Sequence, residues 1–168
     1  MDGRNTQRGF SLLELMVVVC ILGVLAMIVV PAWAKDSRKG RAKSEIAAMF
    51  AELRYKEESY KIDNSVYASL ATCPSTPSTV PQDVTVPCAA TWLPLRIQPA
   101  TSKLYCTYAI TAGTSAQTPS PPSPFTMPTA AVSWYYILAT CNMDNHVGNS
   151  TYFTNSVDPT IQYSNEGN

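Results

Sequence analysis

A carboxylate at the edge of a long apolar run is the first residue of this chain placed to do chemistry. Glu14 is followed by residues 15–34, which carry no charged side chain. As a helix, that run is long enough to cross the hydrocarbon core of a bilayer. A charge at the bilayer centre costs roughly 2.5–3.5 kcal/mol on insertion scales, and less towards the interface. Glu14 therefore needs either a cationic partner or a route back to water.

Few other side chains are placed for catalysis. His146 is the only histidine, and the sequence contains no H-E-x-x-H, G-x-S-x-G or paired-carboxylate motif. Residues 142–146 hold one carboxylate, Asp144, and lack the D-x-[DN]-x-[DN]-G pattern of a calcium loop. This composition favours a plain turn. We therefore expect no enzymatic activity, no cofactor and no metal site.

The five cysteines divide into one and four. Cys20 lies inside the apolar run, whereas Cys73, Cys88, Cys106 and Cys141 form an even set beyond it. An even set of cysteines is typical of a protein exported to an oxidising compartment. Four cysteines allow three pairings. Our first choice joins Cys73 to Cys88 across a proline-rich loop and Cys106 to Cys141 between two strands.

Several kinds of N-terminal segment contain an apolar run. A secretory signal peptide has a shorter apolar core, of about 7–15 residues, and a small-residue cleavage site. No such site interrupts this run cleanly before Trp33. A lipoprotein signal needs a small residue before the modified cysteine, but Val19 precedes Cys20. A plain transmembrane anchor fits the length and leaves both the carboxylate and the Gly9–Phe10 junction unexplained.

The residues around that junction resemble the type IV pilin and pseudopilin family. The matching stretch is Gly9-Phe10-Ser11-Leu12-Leu13-Glu14-Leu15-Met16-Val17-Val18-Val19. The resemblance implies that residues 1–9 are a leader cut after Gly9 by a prepilin peptidase, and that Phe10 becomes the N-methylated mature terminus. Gly23 and Pro31 match positions where pilin anchors carry a helix weakener and a kink.

The resemblance also implies a partner for Glu14. A free α-amine at Phe10, with an ordinary pKa near 8, is mostly cationic at neutral pH. The amine of a neighbouring subunit could pair with Glu14 and remove much of the cost of both charges in lipid. Such a pair would set the register between neighbouring subunits. Apolar packing alone discriminates poorly, because lipid tails are as apolar as the side chains of the helix. The alternative is an interfacial carboxylate that reaches back to water.

The implied function is structural: a major or minor pilin of a type IV pilus-like filament. A pseudopilin of a type II secretion system is the alternative, and a monomeric membrane-anchored binding protein is the less favoured one. The implied partners are other pilin subunits in a homo- or heteropolymer, prepilin peptidase, and inner-membrane lipid before assembly. Because no Walker A motif occurs, assembly would depend on a separate ATPase and its inner-membrane platform. The formal net charge is zero, and no specific nucleic-acid partner is predicted.

The orientation in the membrane rests on two conflicting signals. A basic cluster follows the apolar run directly: Lys35, Arg38, Lys39, Arg41 and Lys43. The positive-inside rule would place this cluster in the cytoplasm. The cysteine set and the resemblance favour the opposite orientation, with a single span in the bacterial inner membrane, a periplasmic head, and a cell-surface pilus after assembly.

A long helix must position these residues. From residue 42 apolar side chains recur at spacings of three, four and seven: Ala42, Ile46, Met49, Phe50, Leu53 and Tyr60. Glu52–Lys56 and Glu57–Lys61 are expected to be ion pairs on the exposed side. The stretch 63–65 should stop the helix. We predict one helix from residue 10 to about residue 62, kinked at Pro31 because proline lacks an N–H.

The remainder of the chain predicts a β-rich head. Strand-like segments lie near residues 92–98, 104–112, 132–140, 151–155 and 160–164. The predicted fold is α+β: a long N-terminal helix packed on a C-terminal antiparallel sheet. The predicted parts are a leader (1–9), a transmembrane assembly half-helix (10–34), an amphipathic half-helix (35–63) and a head (64–168). The proline-rich loop 118–128 is expected to be extended and exposed, either unmodified or O-glycosylated.

Overall fold

The computed structural model describes residues 10–130, 132–142 and 148–165. The predicted leader, which includes Gly9, lies outside the described residues. So do Asp144 and His146 of the predicted turn. The chain divides into two compact units, residues 1–37 and residues 38–168.

One helix, α1 (Leu12–Asn64), occupies 53 residues of the chain. Its bounds lie within two residues of those predicted. The helix ends where Ser65 adopts a positive φ of 63°, and the Ser65 N–H donates to the carbonyl of Lys61 at 2.7 Å. The helix continues through Gly23 and Pro31. The expected kink at Pro31 stays a prediction.

The described residues of the head form seven strands in two antiparallel sheets. Five strands form the larger sheet in the order β1-β4-β5-β6-β7, and β2 pairs with β3. The strands are β1 (Leu70–Cys73), β2 (Gln82–Asp83), β3 (Lys103–Leu104), β4 (Cys106–Gly113), β5 (Trp134–Cys141), β6 (Ser150–Asn155) and β7 (Gln162–Ser164). This arrangement confirms the predicted α+β class.

The strand predicted at residues 92–98 is wrong. That region forms a short helix, α2 (Ala89–Trp92), followed by a 3-10 turn (Leu93–Leu95). Pro94 has no N–H to donate to a sheet, and Arg96 closes the turn in the left-handed region with φ 50°. Strand β1 was not predicted. It has four residues and is followed by a proline-rich stretch, so it is too short to show an alternation of apolar and polar side chains.

The apolar stripe of α1 packs on one face of the larger sheet. The Phe50 ring meets the Tyr108 ring edge to face, with 6.4 Å between ring centroids. Five of the six predicted stripe residues are at most 3% exposed, and Tyr60 is half-buried. The five are Ala42, Ile46, Met49, Phe50 and Leu53. The amphipathic half of the helix is thus core, as the spacing indicates.

The opposite face of the larger sheet carries a second aromatic cluster of Phe125, Trp134, Tyr136 and Phe153. Phe125 belongs to the proline-rich loop 118–128, and its ring stacks on Phe153 at 5.1 Å. The indole N–H of Trp134 donates to the carbonyl of Gln117 at 2.9 Å. Most of the loop is exposed, as predicted, but Phe125 is only 6% exposed and covers the sheet.

Two disulfides tie the head together. Cys73, at the end of β1, is bonded to Cys88, which directly precedes α2. Cys106 and Cys141 are bonded across β4 and β5, where they are directly opposite partners. This is the pairing chosen from the sequence. Cys20 is free and exposed.

Candidate assembly site

The first unit presents an apolar helical surface. Residues Leu12–Val30 are long and apolar enough to cross a membrane, with a mean hydropathy of 3.0. Their 19 residues rise about 28 Å along the axis, close to the roughly 30 Å of a hydrocarbon core. None of this surface is buried within the chain, and Met27, for example, is 82% exposed. An apolar surface of this extent requires lipid or other protein to cover it.

Glu14 lies in the first turn of α1, where it also has a local role. Ser11 precedes the helix, and its Oγ accepts a hydrogen bond from the Glu14 N–H at 3.2 Å. The Ser11 carbonyl accepts from the Leu15 N–H at 3.2 Å. Ser-x-x-Glu is the sequence of a capping box, and a carboxylate in the first turn faces the positive end of the helix dipole. We missed this role in the sequence, although the spacing from Ser11 to Glu14 signals it.

Among the described residues, no cation forms an ion pair with the Glu14 carboxylate. Phe10 lies four residues earlier in the sequence, just before α1 begins, and is 76% exposed. The α-amine that cleavage would create at Phe10 therefore stands at the exposed start of the apolar surface. Chain termini and carboxylates so placed can pair between neighbouring copies.

A second carboxylate fastens α1 to the sheet. Glu45 Oε2 accepts from the Tyr105 N–H at 2.9 Å, while Oε1 accepts from the Cys106 N–H and the Tyr108 hydroxyl, both at 3.0 Å. Burial raises the pKa of Glu45, and the three hydrogen bonds partly oppose that rise. Hydrogen bonds to a charged group are stronger than neutral ones. Glu45 thus anchors the start of β4, a role that no spacing in the sequence signals.

One of the two predicted ion pairs is correct. Lys56 Nζ lies 3.7 Å from Glu52 Oε1. The expected exposed pair of Glu57 with Lys61 is wrong. Glu57 is fully buried and accepts from the Ala68 N–H at 3.0 Å, while Lys61 Nζ donates to the Tyr67 hydroxyl at 2.9 Å.

Among the described residues of the second unit (38–168), Glu57 is the carboxyl whose pKa is shifted most. Burial raises its pKa to about 7, the nearby charge of Glu58 adds to the rise, and the hydrogen bond from Ala68 opposes it. Glu57 Oε1 is buried and has no hydrogen-bond partner among the described residues. A carboxyl in this environment carries a proton over much of the acidic range.

The described part of the chain contains no candidate metal site. There, no group of three or more His, Cys, Asp and Glu side chains is placed to hold an ion. The candidate calcium loop falls mostly on residues that are not described, so its expected lack of metal stays a prediction.

Comparison with known proteins adds evidence on the N-terminal segment. The model of the prokaryotic N-terminal methylation motif matches residues 4–30. The chain is 41% identical to type II secretion system core protein G of Dickeya chrysanthemi over 90 aligned residues, which cover 46% of this chain and 56% of the relative. It is 44% identical to core protein G of Pseudomonas aeruginosa over 69 residues, covering 39% and 46%. The corresponding Escherichia coli protein is 43% identical over 70 residues, covering 40% and 46%.

These matches cover only part of each protein. The chain spans about half the length of the curated relatives it matches. No solved structure matches it. The methylation motif, the similarity to core protein G and the α+β architecture support a likeness of this chain to the type IV pilin and pseudopilin family.

Proposed function

We propose that the chain is a structural subunit of a helical type IV pilus-like filament and that it has no enzymatic role. The observation that carries this proposal is the Gly9–Phe10 junction and Glu14 at the start of a fully exposed apolar helix. Before assembly, inner-membrane lipid covers the apolar surface. In the filament, the same surface of other copies replaces the lipid.

Charge pairing selects the register of the filament. The Phe10 amine of an incoming subunit pairs with Glu14 of a subunit already in place, and each removes the cost of the other's charge. Close packing of the apolar helices stabilises the filament, but lipid tails can cover the same apolar surface almost equally well. The ion pair therefore discriminates between correct and incorrect docking, while the packing stabilises the correct form.

Two kinds of filament are consistent with this subunit. The matched relatives are core proteins of type II secretion systems, which favours a pseudopilin. A major or minor subunit of a surface pilus shares the same N-terminal motif and the same architecture, and motility or adhesion would follow from that form. Deleting the gene and measuring both enzyme secretion and surface pili separates the two, because each filament serves one of these outputs.

The remaining partners follow from the proposed assembly. Prepilin peptidase cuts after Gly9, and a separate ATPase with its inner-membrane platform drives extrusion. The head lies in the periplasm, where the four paired cysteines remain oxidised. Gly23 and Pro31 allow the apolar half of α1 to bend or lose hydrogen bonds during assembly.

The mass of the mature N-terminus tests the proposal. The N-terminal peptide from membrane-bound chain should start at Phe10 and carry one added methyl group. In cells that lack prepilin peptidase, residues 1–9 should remain attached and the chain should be missing from sheared filaments. A leader that is retained in wild-type cells would overturn the proposal and favour a simple membrane-anchored protein.

A further inference from the structure

The short segment between α1 and β1 is bonded to a buried carboxyl of the helix. Residues 65–69, which we call the connecting segment, begin at Ser65, where a φ of 63° ends the helix. Within the segment, the Ala68 N–H donates to Glu57 Oε2 at 3.0 Å, and both residues are buried. The attachment of the segment to α1 therefore includes a hydrogen bond to a group that can change its charge.

The second oxygen of Glu57 has no polar partner. Glu57 is 0% exposed, and among the described residues Oε1 makes no hydrogen bond. A buried carboxylate is stable where cations or several donors surround it, and here the described residues offer one backbone N–H. A protonated Oε1 also lacks a partner, but an unpaired hydroxyl costs far less than an unpaired buried charge. The closed arrangement therefore suits a neutral carboxyl.

The groups around Glu57 do not compensate a negative charge there. Arg54 donates through Nη1 to the Pro159 carbonyl at 3.4 Å, and Lys61 donates to the Tyr67 hydroxyl at 2.9 Å. Burial and the negative charge of Glu58 raise the pKa of Glu57 to about 7. The charged and titratable groups of this network come from α1, the connecting segment and β5: Arg54, Glu58, Lys61, Tyr67 and Tyr135.

We propose that Glu57 is a pH-sensitive switch that releases the connecting segment when the carboxyl ionises. The proton passes to solvent water, and the new charge is stabilised only if water reaches it, so the Ala68 N–H separates from Glu57. The protonated carboxyl keeps the segment closed. The inference concerns the head alone and does not depend on whether the chain enters a filament.

The two ends of the connecting segment confine the movement. At one end, the Ser65 N–H donates to the Lys61 carbonyl at 2.7 Å. At the other end, Ser69 Oγ accepts from the Ala112 N–H at 3.0 Å and holds the segment to β4. The ring of Tyr67 packs edge to face on Tyr135, with 4.6 Å between ring centroids, and opposes a wide opening. We therefore expect a local opening at Ala68, with the sheet intact.

Hydrogen exchange of the Ala68 amide, measured by NMR on the full chain in detergent, tests this inference. The closed form binds the proton more tightly than the open form, in which Glu57 returns towards its ordinary pKa of 4.5. After correction for the intrinsic exchange rate, protection of Ala68 should fall at least about tenfold from about pH 5 to about pH 8. Protection should stay below that of the amides between β4 and β5 and should not respond to low denaturant concentrations.

Two variants assign the effect to Glu57. Glu57→Gln keeps the shape of the side chain and cannot ionise, so protection of Ala68 should no longer depend on pH. The matched control Glu52→Gln, on the same helix, should keep the wild-type dependence. If Glu57→Gln fails to fold, the carbon chemical shift of the wild-type Glu57 carboxyl identifies the titrating group, because it should titrate over the same pH range as the exchange.

Three results would overturn the inference. The first is wild-type protection of Ala68 that does not change with pH. The second is a pH dependence that persists in Glu57→Gln or a Glu57 carboxyl that titrates outside the range of the exchange. The third is exchange of Ala68 at the rate of the amides between β4 and β5 with the same response to denaturant, which would mean that Ala68 opens only when the whole head unfolds.

Discussion

At the scale of single residues, Glu14 has a local role in the structure and an intermolecular role in the proposed filament. Its N–H is capped by Ser11, and its carboxylate finds no cation among the described residues of its own chain. A helix cap alone would explain a glutamate at this position in a soluble protein. The two roles make opposite predictions for an amide, because glutamine keeps the capping box but cannot pair with an amine charge.

We predict that Glu14→Gln is processed and inserted in the membrane but enters filaments at least about tenfold less efficiently. An unpaired charge in lipid costs more than about 1.4 kcal/mol, which is a factor of ten. Ser11→Ala, the matched control, removes the cap oxygen and keeps the charge, so its incorporation should stay close to wild type. Quantifying both variants in sheared filaments checks this. The reverse order of the two variants would assign Glu14 to capping.

Glu57 predicts a pH dependence of stability. Its pKa rises from the ordinary 4.5 to about 7 in the folded chain, so the folded state binds more protons within that window. The free energy of unfolding should therefore fall as pH rises from about 4.5 to about 7, by at most about 3 kcal/mol from this group.

Denaturant unfolding of the full chain in detergent, at several pH values, measures this dependence. Glu57→Gln should have a shallower slope across the window, because the amide does not titrate. Glu52→Gln is the control, since Glu52 forms only a partly exposed pair with Lys56. An unchanged slope in Glu57→Gln would show that the buried carboxyl does not control this transition.

At the scale of elements, periodic patterns were predictable and isolated contacts were not. The stripe from Ala42 to Leu53 identified the packed face of α1, since five apolar positions repeat at helical spacing. Glu57 lies on the same helix and is buried. Helical spacing identifies buried apolar positions, but it does not identify a buried carboxyl whose hydrogen-bond partner, the Ala68 N–H, lies outside the helix. Likewise, Phe125 sits in a segment whose prolines indicate exposure, and only the tertiary structure shows its partner, Phe153.

The loop over the outer face of the sheet makes a stability prediction. Phe125→Ala should lower the free energy of unfolding by about 3 kcal/mol, because it removes a buried ring and leaves aromatic neighbours uncovered. Val132→Ala serves as the control, since Val132 is 63% exposed and should change stability by less than about 0.5 kcal/mol. Chemical denaturation checks both variants. Equal stability of the two would mean that the loop does not cover the sheet in solution.

At the scale of the whole molecule, the disulfides report the side of the membrane on which the head lies. Thiol blocking before and after reduction should reveal four protected cysteines and one free thiol, Cys20. The four form the pairs of the head, and structural disulfides are typical of exported proteins. Four additional free thiols in membrane-bound chain would support a cytoplasmic head, as the basic cluster after the span suggests.

The hydrogen bonds between Glu45 and the start of β4 have a mechanical consequence. In the proposed filament, tension along the fibre would load each subunit along its long helix. Glu45 holds two backbone amides at the start of β4, where Cys106 is cross-linked to Cys141. Through Glu45, part of that load would reach two strands that a disulfide links covalently, and a cross-linked pair of strands resists separation better than an unlinked loop.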